Sequence, residues 1–86
     1  MLTVKVLGSG CANCQKLEET ARNAVAWLGV EAEIAKVTGI ADIMNYNVLA
    51  TPGLVINEKL VSSGRVPSVA EITTWLTDAM MAEESS

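Results

Sequence analysis

Cys11-Ala12-Asn13-Cys14 lies between a segment that alternates like a strand and one patterned like a helix, and this junction constrains the chain more than any other feature. Leu2, Val4 and Val6 alternate with Thr3 and Lys5, which predicts a first strand over residues 2–7. Gly8-Ser9-Gly10 then breaks it. From Cys14 the apolar positions run Cys14, Leu17, Ala21, Ala24, Val25, Leu28, the spacing of a helix with one buried face, and Gly29 supplies the glycine that a left-handed cap favours. Cys11 therefore falls at a helix N-terminus, where orphan N–H groups and the helix dipole stabilise a thiolate. Two intervening residues let the sulfurs meet without distorting the helix. Cys11 is the more exposed by position and can attack a disulfide; Cys14, on the inner face, can resolve the mixed intermediate.

The rest of the chain narrows the alternatives. At 86 residues it is expected to form one domain over residues 1–82, with Glu83-Glu84-Ser85-Ser86 as a flexible tail. Six Lys+Arg against ten Asp+Glu, without a basic cluster, argue against nucleic acid or an anionic membrane as partner. Three scattered aromatics make no base-stacking surface. The absence of His removes the usual general base and the commonest metal ligand. Four-coordinate structural zinc lacks a third Cys or a His and is not expected, which leaves only a two-coordinate soft-metal site on the same cysteines as a metal alternative. Residues 1–7 read as a strand and not as a signal peptide, and the uncharged run from Ile43 to Asn57 is broken by Asn45, Asn47, Thr51 and Pro52. The expected compartment is the cytoplasm, where paired cysteines more often do redox chemistry or bind metal than staple a fold.

Further along, Ala32–Val37 reads as a strand whose Glu31, Glu33 and Lys36 suit an exposed edge. Ile40, Ile43 and Met44 mark a short helix. Pro52 cannot donate to a sheet ladder and belongs at the start of the buried strand Leu54-Val55-Ile56. Asn57-Glu58 turns the chain into a strand over Lys59–Ser63, and Ser68-Val69-Ala70-Glu71 has the form of a capping box opening a last helix. The order is β-α-β-α-β-β-α. A cis Thr51–Pro52 bond, expected in combination with the upstream cysteines, would present the Thr51 backbone as a short edge for substrate to pair with. Trp27 and Trp75 read as packing residues, and Glu18 as a solvated helix-face acid in preference to a proton relay.

Three separated segments, Val6 to Cys14, Ala50 to Asn57 and Ser63 to Pro67, resemble the small thioredoxin-fold proteins, nearest to the glutaredoxin-like thioredoxins known as redox-active disulfide proteins. The resemblance spans roughly residues 2–80. It implies a compact α/β thioredoxin fold, a four-stranded mixed sheet flanked by helices. It also implies a thiol–disulfide oxidoreductase that reduces protein disulfides, with Cys11 as nucleophile, Cys14 as resolver and Pro52 in a cis bond. Ala12, Asn13, Thr51 and Gly64 would line the substrate groove. No cofactor beyond the reversible Cys11–Cys14 disulfide is implied; the partners are protein disulfides and an external reductase or dithiol donor, and the expected form is a monomer. The sequence departs from the thioredoxin pattern at Gly10, where Trp is usual, at Ala12-Asn13 in place of Gly-Pro, and at Lys5, near where a buried Asp is usual. The glutaredoxin signatures around the motif and near Gly64 are absent. The alternative is a soft-metal, copper-type carrier using the same cysteines, a fold that would run β-α-β-β-α-β.

Overall fold

The computed structural model describes residues 2–84. Its elements are β1 (Leu2–Leu7), α1 (Ala12–Leu28), β2 (Ala32–Val37), α2 (Ile40–Met44), β3 (Gly53–Ile56), β4 (Lys59–Ser63) and α3 (Val69–Glu84). A helix follows β2, so the order is that of the expected fold and not that of the metal-carrier alternative. Glu83 and Glu84 continue α3 and do not form a tail, while Ser85 and Ser86 lie outside the described residues.

The strands form one mixed sheet in the order β2-β1-β3-β4. β1 pairs with β2 in parallel through the α1 crossover and with β3 antiparallel, and β3 pairs antiparallel with β4. Period-two alternation assigns each strand's side chains to two layers. Leu2, Val4 and Val6 of β1, with Leu54 and Ile56, pack on one face against Leu17, Ala21 and Ala24 of α1 and Ile72 and Leu76 of α3. Leu7 and Val55 meet Ile43 of α2 on the other. Covered on both faces, β3 is buried along its whole length, which is why it reads as an unbroken apolar run. β2 is an edge strand, as its charges predict.

Trp27 departs from expectation: it stands 75% exposed, off the Leu17–Ala21–Ala24 stripe, whereas Trp75 packs against the core. The turn between β3 and β4 holds Asn57 and Glu58 at φ 50° and 67°, left-handed conformations that a two-residue hairpin connection demands. Asn57 tolerates this and also extends the sheet, its N–H donating to Thr3 O at 2.8 Å and its Oδ1 accepting from Thr3 N at 2.9 Å.

The capping box at α3 is reciprocal. Ser68 Oγ accepts from the Glu71 N–H and the Glu71 carboxylate accepts from the Ser68 N–H, both at 3.2 Å. Ser68→Ala is expected to lower stability by about 1 kcal/mol, read as an earlier urea midpoint at unchanged slope. Glu71 also receives both guanidinium nitrogens of Arg65. That bond first, then the Ser68 N–H, holds its carboxyl down to about 2 from the ordinary 4.5. A lowered folded-state pKa stabilises fully above the unfolded value and progressively less as pH falls through the folded one. Glu71→Gln should therefore flatten the loss of stability between pH 4.5 and about 2, and added salt should weaken the wild-type effect because the pair is exposed.

Candidate redox site at the strand-to-helix junction

The break after β1 positions the cysteines. The Gly8 N–H donates to Val37 O at 3.0 Å, so the chain leaves the sheet still tied to the end of β2. Gly10, at φ 89°, then turns it through a conformation favourable only to glycine. Cys11 adopts extended dihedrals and becomes the N-cap of α1, its Sγ accepting from the Cys14 N–H at 3.1 Å. A sulfur thus occupies the place where Ser or Asp oxygen commonly satisfies a first-turn donor. No acidic residue stands in that turn to oppose the positive end of the helix dipole. Ala12 and Asn13 are exposed between the cysteines. Cys11 and Cys14 are joined as a disulfide, with Cα atoms 5.0 Å apart. Cys11 is exposed, whereas Cys14 is 5% exposed.

The other predicted residues gather beside this pair. Pro52 is buried immediately ahead of β3, the Thr51–Pro52 peptide bond is cis, and Thr51 is exposed. The Pro52 carbonyl accepts from the Gly64 N–H at 2.9 Å. Gly64 stands at φ 77°, where a Cβ would come within 3.3 Å of Ala50 Cβ. Gly8 links this loop to the cysteines. A Cβ built on it would collide with Cys14 Sγ, lie 3.2 Å from Cys14 Cβ and reach within 3.9 Å of Thr51 Cβ. Cys14 and Thr51 therefore approach each other across a missing side chain, and Pro52 and Gly64 join this neighbourhood through the Thr51–Pro52 peptide bond and the Gly64 N–H bond to the Pro52 carbonyl. Sequence reasoning gave Gly8 no role at the site beyond ending β1 within the segment that carries the resemblance; the signal it overlooked is that a glycine three residues ahead of Cys11 faces the turn of helix carrying Cys14.

Two charged side chains also lie where the sequence did not place them. Glu18 is not a freely solvated acid. Its side chain is 16% exposed, between Arg22 at 2.9 Å and Lys36 of β2 at 3.3 Å. Arg22 chiefly, with Lys36, lowers its carboxyl pKa against an opposing effect of burial. Lys5, one residue out of phase with Val4 and Val6, bonds Tyr46 Oη at 2.9 Å and pairs with Glu58. The Glu58 carboxylate first, then Tyr46, raises its pKa. Among the described residues, no group of three or more His, Cys, Asp and Glu could hold a metal ion, and no helix is long and apolar enough to cross a membrane.

An exposed and a buried cysteine, bonded across the first turn of a helix that leaves a four-stranded mixed sheet, define a dithiol–disulfide protein of thioredoxin fold. The comparisons agree. The thioredoxin-domain family model matches residues 2–77. Thioredoxin of Methanothermobacter thermautotrophicus is 43% identical over 84% of this chain and 94% of its own. Thioredoxin of Methanocaldococcus jannaschii is 39% identical over 84% and 83%. Among solved structures, the germline-specific thioredoxin Deadhead of Drosophila melanogaster superposes with a TM-score of 0.61 at 18% identity, covering 90% of this chain and 79% of that one. The oxidised thioredoxin of Plasmodium falciparum gives 0.60 at 11%, covering 91% and 80%; these two support the fold alone. The chain belongs to the thioredoxin family and is a thiol–disulfide oxidoreductase.

Proposed function

We propose that this oxidoreductase works chiefly as a reductant of protein disulfides, with Cys11 as nucleophile and Cys14 as resolver. The observation that carries the division of labour is the contrast in exposure: an open Cys11 at the helix cap and a Cys14 only 5% exposed. In the reduced protein the Cys14 N–H and the α1 dipole stabilise the Cys11 thiolate. Cys11 Sγ attacks one substrate sulfur, the substrate disulfide breaks, and one substrate thiolate leaves. Cys14 Sγ then attacks Cys11 Sγ, releases the second substrate thiolate and closes the Cys11–Cys14 bond. Two electrons pass from the dithiol to the substrate without an added cofactor, and an external reductase or dithiol donor restores the pair. The exposed Thr51 backbone offers an edge for the substrate strand, and Ala12, Asn13, Pro52 and Gly64 line the groove beside it. We place this activity in a single domain that includes the whole of α3, monomeric and cytoplasmic.

Turnover tests this reading. With dithiothreitol as electron donor, catalytic amounts of the protein should raise the rate of insulin disulfide reduction well above that of dithiothreitol alone. A rate equal to the uncatalysed one would contradict it.

A further inference from the structure

Resolution of the mixed disulfide requires Cys14 to lose a proton, and its burial, at 5% exposure, disfavours the thiolate. The chain has no His, so the proton needs another acceptor. Beside Cys14 lies a cavity of about 50 Å³ bounded by Val6, Gly8 and Gly10 and by two charged side chains, Glu18 and Lys36. A space of this size has room for water. Glu18 follows Cys14 by four residues and so lies one turn along the same helix face. Arg22 from its own helix and Lys36 from β2 fix its carboxylate. Of the other ionisable groups on the packed elements, Lys5 of β1 bonds Tyr46 and Glu58 and Glu71 of α3 bonds Arg65, while Lys16 and Glu19 of α1, Glu33 of β2 and Asp78 of α3 do not line this cavity. Among the described residues lining this cavity, Glu18 is the one carboxylate.

We propose that Glu18 is the proton acceptor for Cys14 in the resolving step, acting through water in this cavity, with Lys36 and Arg22 positioning it. The proposal rests on the reading of Cys14 as resolver. The Cys14 S–H proton passes to the Glu18 carboxylate as Cys14 Sγ bonds to Cys11 Sγ. The bond from Cys11 Sγ to the substrate sulfur breaks, and the departing thiolate takes up a proton from Glu18 or solvent. Arg22 and Lys36 keep the carboxyl in its ionised, accepting form at neutral pH.

Ellman's reagent separates the steps. Reduced protein should release one thionitrobenzoate on attack by Cys11 and a second when Cys14 displaces the mixed disulfide. In the wild type the second phase should vary little between about pH 6 and pH 8, because the base is already ionised. In Glu18→Gln the first phase should be unchanged. The second should be about 100-fold slower near pH 6 and climb about tenfold per pH unit as free Cys14 thiolate accumulates. Glu18→Asp, which keeps the carboxylate, should restore the flat profile. A second phase in Glu18→Gln with wild-type rate and pH slope would overturn the proposal. Release of two equivalents by Cys14→Ser would instead overturn the resolver assignment on which it rests.

Discussion

Cys11→Ser should slow exchange with a disulfide reporter by about 1,000-fold, while Cys14→Ser should keep the fast first attack and accumulate a stable mixed disulfide. The asymmetry follows from placement. Cys11 Sγ is at the surface, bonded by a backbone N–H at the positive end of a 17-residue helix, so its thiolate is both stabilised and reachable. Cys14 is 5% exposed beneath that turn and meets a substrate sulfur only after Cys11 has brought it there. The two variants are well matched as a test, because serine is itself a favoured N-cap and preserves the helix start at position 11. At position 14 its hydroxyl can bond a carbonyl one turn back, which limits the penalty for a buried polar group. Stopped-flow rates at neutral pH, with metal excluded, decide the matter. Slow and equal reaction of both variants would remove the nucleophile–resolver distinction.

Gly8→Ala should both destabilise the oxidised protein and make its disulfide easier to reduce. The new Cβ would occupy the space of Cys14 Sγ, with Cys14 Cβ only 3.2 Å away. Gly8 is buried, and overpacking of this kind costs about 1–3 kcal/mol. The penalty is unequal between the redox states: in the disulfide Cys14 Sγ is tied to Cys11, whereas in the dithiol it is free to turn away. A difference of about 1.4 kcal/mol corresponds to about 30 mV for this two-electron couple, so the potential should rise by about that amount. Equilibration against glutathione or dithiothreitol buffers measures it. An unchanged potential with unchanged stability would show that the missing side chain at position 8 has no bearing on the pair. Because the same Cβ also approaches Thr51, substrate reduction should suffer along with the potential.

Much of this architecture is visible in local sequence. The alternation in Leu2–Leu7, the stripe from Cys14 to Leu28 and the Ser68–Glu71 box each concern residues within a few positions of one another, and the boundaries of β1, β2 and β4 agree with the structure. The start of β3 shifts by one residue, because Gly53 pairs with both Leu7 and Ser63, partners distant in the chain. Strand order is likewise a long-range property, and it was the three-segment resemblance that supplied the mixed sheet.

At the site, Cys11 and Cys14 are legible because their spacing and their junction are both local. Thr51 and Pro52 became candidates because a proline opens β3 downstream of the paired cysteines, and Gly64 through the resemblance; the Gly64 N–H bond to the Pro52 carbonyl joins residues twelve apart. Gly8 was overlooked and Glu18 was read as solvated for opposite reasons. A glycine carries no side chain to announce a contact, and its importance lies in what a Cβ would strike. Glu18 has the sequence appearance of a surface acid, and only the arrival of Lys36 from β2 encloses it. Trp27 was misjudged because a large aromatic beside an apolar stripe looks buried, although its position turns it outward.

The central claim is a two-electron transfer carried by the Cys11–Cys14 pair. The most direct measurement mixes the fully reduced protein with insulin, without any other reductant, and counts thiols and disulfides in both chains by alkylation and mass spectrometry. The account predicts that for each insulin disulfide lost, two insulin thiols appear and one Cys11–Cys14 disulfide forms. Insulin disulfides left intact beside the reduced protein, or lost without formation of the Cys11–Cys14 bond, would contradict it.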